Sequence, residues 1–125
     1  MSGATGPIRV REYLGHMPEA VRLARNFTKD ISKAAFQADK RTQQAVILNL
    51  ITIGEAASHI VRESPKFPER YPGLPWKEMR GMRNRMAHGY FAIDLDVVWE
   101  TVHYSLPALE QKIIEVMREF DADNG

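Results

Sequence analysis

At 125 residues the chain has room for one domain with a hydrophobic core of its own. Its 44% hydrophobic and 26% charged residues place it outside the disordered class, and 17 basic against 16 acidic residues leave a formal charge of +1, which excludes a broad electropositive surface and makes any RNA or DNA contact a local one. The lack of cysteine removes disulfides, thiolate catalysis and the common structural zinc sites, and suits a reducing cytoplasm.

The opening MSGATGPIRV holds no apolar core of signal-peptide length, and no apolar run approaches a membrane span. Nothing repeats at a fixed period. The expectation is one cytoplasmic domain over residues 1–125, with an ordered core of about 8–118 and short mobile ends at Met1 to Gly6 and Asp121 to Gly125.

From Ile8 to Thr28, Leu14, Met17, Val21, Ala24 and Phe27 recur at helical spacing, with Pro18 placed to bend or split the helix. Ser32 suits the cap of a short turn through Phe36. Asp39 precedes the clearest helix, where Val46, Leu50, Ile53, Ala57 and Ile60 recur and Ile47, Ile51 and Val61 widen the apolar face enough for two neighbours. The segment SPKFPERYPGLP, with four prolines and a glycine, reads as a loop. Pro75 fits the first turn of a third helix running to about His88, where Gly89 stops it. Asp94 caps a fourth, with Val97, Val98, Val102, Leu106, Leu109, Ile113, Val116 and Phe120 on its apolar side and a kink at Pro107. No segment alternates like a strand, so the fold class is all-α, an up-and-down bundle of four to five helices.

The third helix carries the chemistry, in the stretch GMRNRMAHGYFAID. Taking Met79 as zero, Trp76 falls at about +60°, Met82 at about −60° and Met86 at about −20°, a single packing stripe. Arg83 falls at about +40°, inside that stripe, whereas Arg80, Asn84 and Arg85 lie outside it. A permanent charge aimed at an apolar contact needs a carboxylate, a cleft or a bound anion. Glu55 is the available carboxylate, and a plain structural pair with it stands open beside the anion reading. Arg80, Arg85 and Lys77 read as solvated residues that leave a positive balance beside Arg83, suited to phosphate. His88 lies about 140° round the helix from Arg83, a histidine that a capping role at the helix end would also explain. Glu55 and His59 stand at i, i+4 and suit a surface hydrogen bond rather than a metal site. Tyr90 reads as a packing residue by default. No phosphate loop, serine elbow or pair of catalytic carboxylates is present.

The order RNRMAHGY resembles the signature of the HepT-like toxins of the HEPN superfamily. ADKRTQQAVILNLITIGEAASHI, with its step at Gly54, Glu55 and Ala56, and YPGLPWKEMRGMRNRMAHGYFAIDLDVVWETV are similar to that family's second helix and core segment, and the likeness runs over roughly residues 8 to 118. The resemblance implies a homodimeric bundle that gathers arginine and histidine from both protomers around one cleft. It further implies a metal-independent, cofactor-free endoribonuclease, the toxin of a type VII-like toxin–antitoxin pair, acting on tRNA or mRNA. Its cognate partner is then an MntA-like minimal nucleotidyltransferase that attaches AMP to the motif tyrosine, with a higher-order complex between the two open. Carried onto this chain, His88 is base and acid, Arg83 the phosphate clamp, Asn84 a helper, Tyr90 the modified residue, and Glu55 and Arg85 are supports. The alternatives are a catalytically silent nucleotide-binding HEPN module that partners the nucleotidyltransferase, and a purely structural helical dimer. The fourteen residues from Gly81 to Asp94 therefore hold nearly every functional expectation for the chain.

Overall fold

The computed structural model describes residues 6–89 and 92–125. In chain order the helices are α1 (Gly6–Thr28), α2 (Lys33–Gln37), α3 (Lys40–Glu63), α4 (Phe67–Arg70), α5 (Trp76–His88), α6 (Leu95–Glu100) and α7 (Leu106–Asn124), with a π-turn at Thr101–Ser105 joining the last two into one rod. Among the described residues there is no strand, and the long helices form the expected all-α bundle. α3 lies between α1 and α5, and α1 lies between α3 and α7. By length and composition α3 could cross a membrane, which the sequence reading did not anticipate. Part of its apolar surface is spent on its two neighbours, with Val46, Leu50, Ile53, Ala57 and Ile60 fully buried, while Leu48 is left exposed.

The caps fall where the side chains dictate. Ser32 Oγ accepts from the Ala35 amide at 3.1 Å, Asp39 Oδ1 from Thr42 at 3.1 Å, and Asp94 Oδ1 from Asp96 at 2.9 Å, each satisfying a backbone N–H that the first turn leaves without a partner. Hydrogen bonds from Thr42 hold the Asp39 carboxyl below the usual aspartate range.

Four expectations need correction. Pro18 does not split α1, which runs on with Pro18 buried: one lost backbone bond is a local cost, and packing along the whole of α1 outweighs it. Phe27 is 44% exposed; the buried place belongs to Thr28, whose hydroxyl satisfies itself by donating to the Arg25 carbonyl at 3.2 Å. Val97 is likewise largely outside the core, at 39% exposure. The proline-rich connection contains α4, because Phe67 and Tyr71 enter an aromatic cluster with Trp76 and Phe120 and draw the intervening residues into a turn of helix. Trp76 Nε1 donates to the Tyr71 carbonyl at 3.0 Å, which fixes the start of α5.

The disturbance expected at Pro107 takes the form of the π-turn. Proline has no N–H for the His103 carbonyl and its ring crowds that oxygen, so the preceding turn widens, with the Leu106 amide reaching back to the Thr101 carbonyl. α7 continues to Asn124, so the C-terminal residues expected as a loose end are helical; Asp121 pairs with Arg11 at 2.8 Å and Asp123 accepts from the Tyr71 hydroxyl. Residues 1–5 lie outside the described residues.

Candidate active site

Gly54, the middle of α3, sets the position of everything else. A Cβ there would lie 2.2 Å from Arg83 Cβ and 2.6 Å from the Met79 carbonyl, so only glycine allows α3 and α5 to approach this closely. The approach brings the backbone of α5 onto α3 just where Arg83 leaves it. Trp76, Met79, Met82 and Met86 are buried, and Arg83 is only partly exposed, in keeping with its place within the apolar stripe.

The Arg83 guanidinium is divided among three environments. Nη2 donates to Glu55 Oε2 at 3.2 Å, Nη1 donates to Asn84 Oδ1 at 3.0 Å, and Nε is buried with no partner. A buried N–H left without a hydrogen bond costs on the order of 1–3 kcal/mol, so the fold alone does not satisfy this side chain. The ion pair is part-exposed, with side-chain exposures of 28% for Arg83 and 36% for Glu55. The same groups border a cleft of about 330 Å³ between α3 and α5, lined by Glu55, Ser58, Arg62, Arg80, Arg83 and Asn84 among others.

His88 stands exposed as the last residue of α5, followed by Gly89, whose amide donates to the Arg85 carbonyl at 3.0 Å. Gly89 ends the helix without a left-handed backbone; its φ is −112°, and it is a Cβ lying 2.9 Å from the Arg85 carbonyl that another residue would find crowded. The His88 ring is not part of the wall of the Arg83 cleft. Within one protomer hydrogen bonds join Arg83 to Asn84 and Glu55, while His88 is outside the lining of that cleft. Arg85 is exposed and faces a different groove, with Glu78, Met82 and Leu109. Tyr90, the expected modification site, lies outside the described residues.

His59 does not meet Glu55, as its spacing suggested; its ring stacks on Tyr13 at 5.0 Å and Nδ1 lies 3.5 Å from Arg62 Nη1, while Glu55 is engaged by Arg83. Among the described residues no three of His, Asp and Glu gather as a metal site. Sequence reasoning missed Gly54 as a packing device and missed Arg62 altogether; the signal for Arg62 was its i, i+7 spacing from Glu55, which puts both on one face of α3.

Compared with known families, residues 17–116 match the family described as "Ribonuclease HepT-like". A Thermococcus cleftensis protein named "Probable ribonuclease HepT" is 40% identical over 102 residues, covering 82% of this chain and 90% of its own. A Methanocaldococcus jannaschii protein, "Gamma-glutamylcyclotransferase and putative RNase MJ0434", is 38% identical over 116 residues, covering 93% of this chain; the chain spans only 51% of that relative. "Putative RNase TTE0752" of Caldanaerobacter subterraneus is 32% identical over 109 residues, covering 87% of this chain and 95% of its own. No solved structure matches.

Proposed function

Because the chain belongs to the HepT-like ribonuclease family, we propose that it is the toxin of a type VII-like toxin–antitoxin pair, an endoribonuclease that cuts tRNA or mRNA without metal at a cleft shared by two protomers. Its single domain, taken over residues 1–125, acts in the cytoplasm and off the membrane. The observation that carries this reading is Arg83: a guanidinium pinned by the Gly54 approach, oriented by Asn84, incompletely satisfied by the fold and presented at the edge of a cleft.

In the reaction a 2′-hydroxyl oxygen bonds to the adjacent phosphorus while the bond from phosphorus to the 5′-oxygen breaks. His88 of one protomer takes the 2′-hydroxyl proton, and the second His88 of the dimer gives a proton to the leaving 5′-oxygen. Arg83 meets the negative charge that grows on the phosphoryl oxygens, and Asn84 keeps it aimed. The products are a 2′,3′-cyclic phosphate and a free 5′-hydroxyl. In the shared cleft the two-fold brings a second Arg83 and a second His88.

Control falls to an MntA-like nucleotidyltransferase partner. It joins the Tyr90 phenol oxygen to the α-phosphorus of ATP, pyrophosphate leaving and the phenol proton passing to a base. On this reading the attached AMP adds negative charge that competes with substrate phosphate for Arg83. In the test of this reading, purified protein cuts RNA in excess chelator, whereas Arg83→Ala and His88→Ala each lose about 10²- to 10⁴-fold in rate with the fold intact by circular dichroism. Equal cutting by both variants rejects it.

The Arg83–Glu55 pair is what a purely structural helical dimer would need, and a silent module that partners the nucleotidyltransferase would hold its arginine in reserve by the same carboxylate. That reading predicts tight complex formation with the partner and no cleavage of any RNA by the freed protein.

A further inference from the structure

The cleft beside Arg83 holds more positive charge than one phosphate requires. Arg62 enters it from α3, Arg80 and Arg83 enter from α5, and Glu55 is the one carboxylate among its walls. That carboxylate is already bonded to Arg83. Arg62 and Arg80 are exposed, and among the described residues neither belongs to an ion pair; Arg62 reaches only the His59 ring. Two guanidiniums that share a cleft without a counter-charge raise its potential and favour an anion there.

Their position along the helix gives that anion a place. Arg80 stands about 4.5 Å before Arg83 along the α5 axis, just under one helical turn from the proposed phosphate clamp. Ser58 and Arg62 line the groove from α3, about one and two turns after Glu55, and Arg80 lines it from α5. A phosphate held by Arg83 thus leaves the Arg62–Arg80 end of the groove for the next phosphate of the same strand.

We infer that Arg62 and Arg80 form a subsite for the phosphate adjoining the one that is cut, so that single-stranded RNA lies along the α3–α5 groove and the enzyme selects substrates with more than one phosphate. The inference rests on the reading of Arg83 as the clamp for the reacting phosphate. The two guanidiniums position the strand without touching the reacting atoms, and their forked N–H groups suit a phosphodiester.

The test compares wild type, Arg62→Ala, Arg80→Ala and the double variant on two substrates, a dinucleotide with only the reacting phosphate and a ten-residue oligoribonucleotide. The expected loss in kcat/KM on the oligonucleotide exceeds that on the dinucleotide by about tenfold or more per arginine and appears in KM. Arg80→Lys recovers part of it. Separately, binding of a 2′-deoxy form of the oligonucleotide, followed by fluorescence anisotropy, weakens in each variant, and the slope of log affinity against log salt falls by about 0.7 per arginine removed. Equal losses on both substrates, or binding and salt slope like those of wild type, overturn the subsite. Binding that depends on Arg62 and Arg80 in a protein that cuts neither RNA keeps the subsite and rejects the catalytic reading; cleavage that needs Arg83 but ignores Arg62 and Arg80 does the reverse.

Discussion

Gly54 decides at the scale of one residue whether Arg83 can be where it is. The Cβ of Gly54→Ala would meet a backbone carbonyl and the root of the arginine, neither of which can swing aside, so α3 and α5 must separate. The expected cost is about 1–3 kcal/mol in urea unfolding, with activity falling further than the unfolded fraction explains. Glu55 behaves differently. Its pair with Arg83 is part-exposed, so Glu55→Gln should change stability by no more than about 1 kcal/mol while tightening binding of a non-cleavable RNA, because the carboxylate no longer competes with phosphate for the guanidinium. A loss of several kcal/mol would make the pair a structural tie instead. Tyr90 is tested by mass: co-expression with the nucleotidyltransferase should add whole AMP units to the peptide that contains it, and Tyr90→Phe should escape neutralisation. An unmodified mass with cleavage still suppressed would mean that the partner acts by binding alone.

Among the elements, the rod of α6, π-turn and α7 has its own pH response. His103, in the π-turn, packs on Trp99 with ring centroids 4.0 Å apart and lines a cavity with Arg22, Arg25, Lys29 and Glu110. Burial, and then the charge of Arg25, hold its pKa below the ordinary histidine value. The unfolded chain therefore binds the proton more readily, and stability declines as pH falls through about 6.5 toward the lower folded value. The urea midpoint should drop between pH 7.5 and 5, and His103→Gln should flatten part of that drop; an identical profile in the variant would assign it to other groups. Capping offers a second check, since Asp39→Ala removes the acceptor for the Thr42 amide and should cost about 0.5–2 kcal/mol. The elements most legible in the sequence were those with a local cause, such as the caps at Ser32, Asp39 and Asp94 and the stop at Gly89, because a cap is decided within a few residues. α4 and the exposure of Phe27 were not legible, because they depend on which distant side chains fill the core. The helical angle of Arg83 could be read in advance, but its bond to Glu55 stayed one option among several until the approach at Gly54 fixed the distance between the helices.

For the molecule as a whole, the proposed activity is a property of a dimer, in which the two-fold brings a second Arg83 and His88 to the shared cleft. The apolar residues on α3 that precede Glu55 supply a candidate surface: Leu48 is 63% exposed, and Ile47 and Ile51 pack only partly against the core. They stand one to two turns before Glu55, so a two-fold contact there lies beside the Arg83 cleft. Light scattering at micromolar concentration should give twice the 14.3 kDa chain mass, and Leu48→Asp, at a site with little packing to lose, should give a folded monomer with no ribonuclease activity. A monomeric wild type would remove the shared cleft. Most direct of all is a defined oligoribonucleotide incubated with the pure protein in excess chelator, its fragments weighed by mass spectrometry. A 2′,3′-cyclic phosphate on the upstream fragment and a 5′-hydroxyl on the downstream one, produced by wild type and lost about 10²- to 10⁴-fold in both Arg83→Ala and His88→Ala, is the predicted result. Intact RNA, or the same fragments from all three proteins, would contradict it.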